Sequence, residues 1–231
     1  MLSLVPSLTE SVALTRPEAL VGATDWCTHP AGLDVPRVRG TKNPDLAAIA
    51  ALQPEVVLAN QEENRELDVT RLRAAGIAVW VTRIRSVDEA FTSLDRMFAA
   101  LQWPSPGWLH EAAEAWAAPA PQPPRRAVVP IWRDPWMVVG SQTFTGDLLS
   151  RLGLVNVFDG ATDRYPHASV AEILDHRPEL VVLPDEPYCF TATDGPEAFP
   201  GVAHRLVEGR SLTWYGPSLA TARELLSRQL A

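Results

Sequence analysis

The 231-residue sequence predicts an α/β protein of two similar lobes with mostly parallel sheets, joined by an interlobe backbone helix. Three observations carry this. Short apolar runs alternate with amphipathic stretches along the whole chain, the signature of strands separated by crossover helices. A helix–Pro–Glu–strand unit occurs twice, as Ile49-Ala-Ala-Leu-Gln-Pro-Glu-Val-Val-Leu58 and Ile173-Leu-Asp-His-Arg-Pro-Glu-Leu-Val-Val182, and the tetrapeptide Gly22-Ala-Thr-Asp25 recurs as Gly160-Ala-Thr-Asp163. Paired elements in the same order in each half point to two homologous lobes. Between the halves lies a helical stretch of two segments, followed by the Pro-rich connector Pro119 to Pro124, which is stiff and extended.

The strands are expected at Leu2–Val5, Val56–Ala59, Ile77–Val81, Ala127–Ile131, Trp136–Val139 and Leu180–Leu183. Three S-x-x-E capping boxes, Ser7 to Glu10, Ser86 to Glu89 and Ser169 to Glu172, are expected to open helices. A fourth helix should begin at Asn43 with Pro44 in its first turn and Asp45 at the positive end of the dipole. The periodic stretch Asn64–Ala75 should stop at Gly76, a left-handed terminator. The linking helices are expected over Ser86–Leu101 and Ser105–Ala118. This gives an N-terminal lobe over 1–85, an interlobe segment over 86–124 and a C-terminal lobe over 125–231.

Composition removes several functions. A formal charge of −8 opposes nucleic acid and anionic membranes as partners, because such surfaces require clustered cations. No run approaches the ~18 apolar residues of a membrane span. The start, Met1-Leu2-Ser3-Leu4-Val5-Pro6, lacks the charged, apolar and small-residue regions of a signal peptide, so a cytoplasmic protein is expected as the chain is written, and a periplasmic or cell-surface one if a signal has been trimmed.

No nucleophile elbow, P-loop or dinucleotide fingerprint is present. His110-Glu-Ala-Ala-Glu114 lacks the second His of a zincin helix, and Cys27 and Cys189 are too few and too distant for a metal knuckle. Neither a catalytic nor a metal-ligating set is therefore assigned. What stands out is aromatic: Trp, at 8, outnumbers Phe at 6 and Tyr at 3. Trp26 follows the first Gly-Ala-Thr-Asp and Tyr165 the second, Trp132 and Trp136 flank Arg133-Asp134-Pro135, and Trp214 lies near the end. Loops beyond the carboxyl ends of parallel strands are where open α/β sheets bind ligands, so these rings are candidate contacts in a cleft between the lobes.

The ordered series Ser3-Leu-Val-Pro-Ser-Leu-Thr-Glu10, Val21-Gly-Ala-Thr-Asp-Trp-Cys-Thr-His-Pro30, Asn43–Leu58, Gly140–Phe158 and Tyr165–Leu183 resembles the class III substrate-binding proteins with a helical backbone, of the cobalamin- and ferric-siderophore-binding type. The resemblance implies two α/β lobes, a small-molecule ligand bound without catalysis, and no intrinsic cofactor, since a corrinoid or metal chelate brings its own metal. It places the ligand-facing rings at Trp26, Trp132 and Tyr165, with Trp136 and Trp214 near the rim. Two further aromatic positions fall on Thr41 and Asn60, which with Lys42, Glu63 and Arg133 suggest a more polar ligand. The resemblance also implies one exposed Glu per lobe that docks on an ABC permease; Ala47 and Ala171 stand there, which makes permease docking doubtful and points to a binding protein uncoupled from an importer. The competing expectations are an enzyme acting on a cofactor or its precursor through Glu62 and Glu63, and direct metal binding through Cys27, His29 and His167.

Overall fold

The computed structural model describes residues 1–231, which divide into two units. Unit 1 comprises Met1–Ile84, Thr92–Leu109 and Tyr215–Pro217; unit 2 comprises Arg85–Phe91, His110–Trp214 and Ser218–Ala231.

Unit 1 is built from β1 (Leu2–Ser3), α1 (Pro6–Ala13), β2 (Gly22–Ala23), β3 (Arg39–Gly40), β4 (Asn43–Pro44), α2 (Leu46–Ala51), β5 (Val57–Asn60), α3 (Glu66–Ala74) and β6 (Val79–Thr82). Its main sheet has the order β2-β1-β5-β6, and every pairing is parallel, with Leu2 opposite both Gly22 and Val57, and Val57 opposite Val79. A sheet covered on both faces wants apolar residues at successive positions, and all four residues of β5 are buried. Leu2, Leu4, Val38, Ile49, Val57 and Leu72 form the core of this unit.

Two helices, α4 (Val87–Ala100) and α5 (Gly107–Trp116), each carry residues of both units. Unit 2 continues with β7 (Arg125–Val128), β8 (Pro130–Trp132), β9 (Met137–Val138), α6 (Phe144–Arg151), β10 (Leu154–Asn156), α7 (Val170–Asp175), β11 (Leu180–Pro184), β12 (Ala203–Val207), α8 (Gly209–Thr213) and α9 (Leu219–Leu230). Its sheet has the order β10-β7-β11-β12, again parallel throughout. In both units the order is second strand, first, third, fourth, so the two lobes share a topology.

The repeated helix–Pro–Glu–strand unit has one structure in both places. Ile49 and Ile173 are fully buried on α2 and α7, Gln53 and Arg177 both take positive φ, at 45° and 51°, and the buried Pro54 and Pro178 lead into β5 and β11. The tetrapeptide identity does not survive. Gly22-Ala23 forms β2, whereas Gly160-Ala161 lies in the loop after β10, four residues beyond the equivalent strand end.

Two helix starts also differ from the sequence expectation. Helix α1 begins at Pro6 after Val5, with no side-chain cap, because proline already supplies the helical φ and has no N–H to satisfy; Ser7 is inside the helix and buried. Asn43-Pro44 pairs with Arg39-Gly40 as an antiparallel hairpin, and α2 is capped instead by Asp45, whose side chain accepts from the Ala48 N–H. The other signals match. Ser86 Oγ accepts from the Glu89 N–H at 3.0 Å, Ser169 and Glu172 form a reciprocal capping box, and Gly76, at φ +80°, ends α3 with the Ile77 N–H donating to the Leu72 carbonyl. Replacing an N-cap serine by alanine costs about 1 kcal/mol. We expect Ser169→Ala to lower unfolding free energy by about that amount in urea titration, whereas Ser7→Ala removes no cap and leaves α1 intact by circular dichroism.

Candidate functional site

Because every strand of each main sheet is parallel, all the carboxyl ends in a unit fall on one edge, and the loops leaving that edge are where a ligand is met. In unit 1 the first such loop follows β2. Thr24 is fully buried, and its hydroxyl and that of Thr9 hold the Cys27 Sγ at 3.1 and 3.0 Å. Burial pushes the Cys27 thiol up, so it is a neutral packing group rather than a thiolate ligand. Arg37 Nη1 donates to the carbonyls of Thr24 and Cys27, each at 2.9 Å, closing the turn from the other side. Between these anchors the Trp26 ring is left 66% exposed. Gly40 makes room for it, since a Cβ there would lie 3.2 Å from the indole nitrogen.

The second loop group is tied by two asparagines. Asn60, at the end of β5, is 1% exposed. Its Oδ1 accepts from the Glu62 N–H at 2.8 Å and its Nδ2 donates to Thr82 Oγ1 at 3.1 Å. Asn64 Oδ1 accepts from the Asn60 N–H at 2.8 Å, and its Nδ2 donates to the carbonyls of Thr41, at 3.0 Å, and Leu4, at 3.3 Å. Asn60 was expected to face a ligand; its amide is instead consumed inside the protein, because a buried amide at a strand end must find protein partners. Thr41 is half-buried and contributes its carbonyl to the same network. Lys42 donates to the Glu62 carbonyl and stands beside the carboxylates of Glu63 and Glu62; partial burial lowers its ammonium below the ordinary lysine range against their opposing pull. Glu63 Oε1 accepts from the Tyr215 hydroxyl at 2.8 Å. Burial of that phenol and the neighbouring Glu63 charge push it well above the ordinary value.

In unit 2, β7 runs on into β8, and Trp132 at its end is 46% exposed, meeting the Tyr188 ring edge-on at 5.6 Å. Arg133 sends Nη1 to both Asp194 and Glu197, its Nε stands 3.6 Å from Asp134, and its guanidinium lies over Trp136 at 5.3 Å. That guanidinium holds the Glu197 carboxyl below the usual range. Tyr188 donates to Asp194 at 2.7 Å, and the carboxylate pushes the phenol up. Trp136, expected at the rim, is a wall of the unit 2 core, stacked on Phe190 at 5.9 Å and edge-on to Phe199 at 5.2 Å. Trp214 is likewise turned inward. It is 8% exposed, donates to the Glu186 carboxylate and has Arg210 over its ring. Tyr165 is half-buried in the loop between β10 and α7. Cys27 and Cys189 are both free thiols, and no three His, Cys, Asp or Glu side chains come together to hold a metal, so the structure does not assemble Cys27, His29 and His167.

No protein-family model matches the chain. In sequence it is 23% identical over 193 residues to the vitamin B12-binding protein of Yersinia pestis (strain Pestoides F), a match spanning 79% of this chain and 68% of that protein. In structure it resembles the periplasmic vitamin B12 binding protein BtuF of Vibrio cholerae, with a TM-score of 0.77 at 17% identity over 99% of this chain and 95% of that one. It also resembles the periplasmic heme-binding protein RhuT from Roseiflexus sp. RS-1, with a TM-score of 0.80 at 18% identity over 99% and 96% of the two chains. The fold is that of the class III, helical-backbone substrate-binding proteins.

Within this helical-backbone fold, sequence reasoning overlooked Tyr188, Asp194 and Glu197. Tyr188 had a signal, since it lies in the loop five residues beyond the expected strand end at Leu183, on the side where ligand loops occur. Asp194 and Glu197 had none, because their partner Arg133 lies 61 and 64 residues away in sequence. The raised Tyr215 phenol has a measurable consequence. The unfolded chain releases this proton near pH 10 and the folded chain does not, so stability is complete below that pH and falls as pH rises above it. Urea titrations at pH 9 and pH 11 should show the loss, and Tyr215→Phe should reduce it.

Proposed function

We propose that this chain is a non-catalytic binding protein for a ring-shaped metal chelate, a corrinoid or a related tetrapyrrole, and that exposed indoles at the carboxyl-terminal rims are its contact surfaces. The observation that carries the proposal is the state of Trp26 and Trp132. Two large aromatic rings are left 66% and 46% exposed while the backbone beneath each is anchored. Water-exposed indole is a cost in a protein with no use for it, and a flat ligand recovers that area at little entropic expense, because the backbone that carries each ring is already held and an indole has only two side-chain torsions to fix. Tyr165 and Tyr188 extend the aromatic surface of unit 2. In unit 2 Arg133 adds a polar group and Trp136 and Trp214 lie inside; in unit 1 Thr41, Lys42 and Glu63 are the polar groups of the rim, with Asn60 beneath. The relatives named above carry vitamin B12 and heme in their names, and both are flat metal macrocycles that bring their own metal.

An enzyme using Glu62 and Glu63 as acid or base is less well supported. Glu63 is engaged by Tyr215 and the Glu62 backbone by Lys42 and Asn60, and the relatives are named as binding proteins. The expected cytoplasmic location finds no support in the comparisons, whose structures are of periplasmic proteins; we propose a periplasmic place. Coupling to an importer is not part of the proposal: Ala47 and Ala171 present exposed methyl groups on α2 and α7, where a charge would be needed to pair with permease arginines.

Tryptophan-quenching titration against cobalamin, cobinamide, heme and ferric siderophores tests the reading. Trp26→Ala and Trp132→Ala should each weaken binding by about tenfold or more, since buried interface aromatics are commonly worth about 1.4 kcal/mol or above. Both rings are exposed, so unfolding free energy should change by less than about 0.5 kcal/mol. Unchanged affinity in both variants contradicts the assignment of the rims.

A further inference from the structure

The charged groups at the rims say which edge chemistry the ligand carries, granted the binding function proposed above. The sequence offers Lys42 and Arg133 among the polar groups for a more polar ligand. In the structure both cations already meet protein acceptors. Arg133 is half-buried and its donors are directed at Asp194 and Glu197, with Asp134 beside its Nε at 3.6 Å and its face covered by Trp136. One guanidinium thus sits among three carboxylates, immediately next to the exposed ring of Trp132. Lys42 donates to the Glu62 carbonyl and is flanked by the carboxylates of Glu62 and Glu63. Around Arg133 the carboxylates outnumber the cation, and the whole chain carries a formal charge of −8.

A carboxylate has about four acceptor sites. Asp194 has two of these filled, by Arg133 and Tyr188, and Glu197 two, by Arg133 and the Gly195 N–H. Their side chains retain solvent exposure, so acceptor capacity remains where a ligand edge would lie. Acceptors of that kind bind N–H donors and repel further carboxylates. We infer that Asp194 and Glu197, beside the exposed Trp132 ring, are specificity-determining residues that select a macrocycle whose periphery carries uncharged carboxamides and reject one whose periphery carries carboxylates.

The test holds the ring constant and changes its edge. Dicyanocobinamide, with carboxamide side chains, is titrated against dicyanocobyrinic acid, the same corrin with carboxylates in their place, by tryptophan quenching of the full chain; ferric protoporphyrin IX, with two propionates, is a third probe. The carboxamide ring should bind at least about tenfold more tightly than either carboxylate-bearing ring, and the gap should narrow at high salt. The double substitution Asp194→Asn with Glu197→Gln exposes an unmatched Arg133 and should shrink the preference by about tenfold, mainly through tighter binding of the carboxylate ring. Equal or tighter binding of a carboxylate ring by the unsubstituted protein overturns this inference and leaves the binding function standing. Binding of none of the three probes overturns the binding function, and this inference with it. If the double variant fails to fold, the comparison in the unsubstituted protein still decides.

Discussion

At the end of β5 the chain leaves the sheet just where the rim of unit 1 must take shape, and the side chains of Asn60 and Asn64 replace the lost ladder of hydrogen bonds. Through them the Asn60 amide, the Glu62 amide, the Thr82 hydroxyl and the carbonyls of Leu4 and Thr41 are joined in one buried set. Four chain segments that are distant in sequence are thereby held to one geometry. A buried amide left without partners costs about 1–3 kcal/mol, so the segments can separate only by breaking several such bonds together. The Lys42 turn and the Glu62–Glu63 segment inherit their positions from this network, and Trp26 is fixed beside them by Cys27 and Arg37.

Unit 2 reaches the same end by other means. Asn156, at the end of β10, donates to the carbonyls of Val139 and Gly140 at 2.9 and 3.2 Å and accepts from the Phe158 N–H at 3.2 Å. Further out, an ion cluster replaces the amide network, with Arg133 joining the β8–β9 connection to the loop carrying Asp194 and Glu197. Asn60 and Asn156 lie on different strands of the shared topology, so the two halves are braced at non-equivalent places under the same sheet order. Preorganised rims reduce what ordering costs on binding. Here the same groups that give order also set the sign of the rim charge.

The sheet and its helices were legible because burial imposes a period. Val57–Ala59 and Leu180–Leu183 are apolar without interruption, as fully covered parallel strands require, and the Ile49 and Ile173 elements show their shared role through spacing alone. Local chemistry was less reliable where two signals competed. Pro6 displaced Ser7 as the start of α1, and the Asn43-Pro44 hairpin displaced the helix start to Asp45. The candidate site was legible only in part. That Trp26 and Trp132 are exposed while Trp136 is partly buried and Trp214 buried depends on Phe190, Phe199 and Glu186, which lie 50 or more, 60 or more and 28 residues from their respective indoles and leave no periodic trace. The pairing of Arg133 is hidden for the same reason.

Amide hydrogen exchange on the ligand-free chain tests most directly whether the rims are built before any ligand arrives. The amides of Glu62 and Phe158, which lie in loops but donate to Asn60 Oδ1 and Asn156 Oδ1, should exchange far more slowly than unstructured peptide and on the scale of the neighbouring strands. Exchange of both at the rate of a free loop would contradict the account, since it would mean that the asparagine networks do not hold the rims in place.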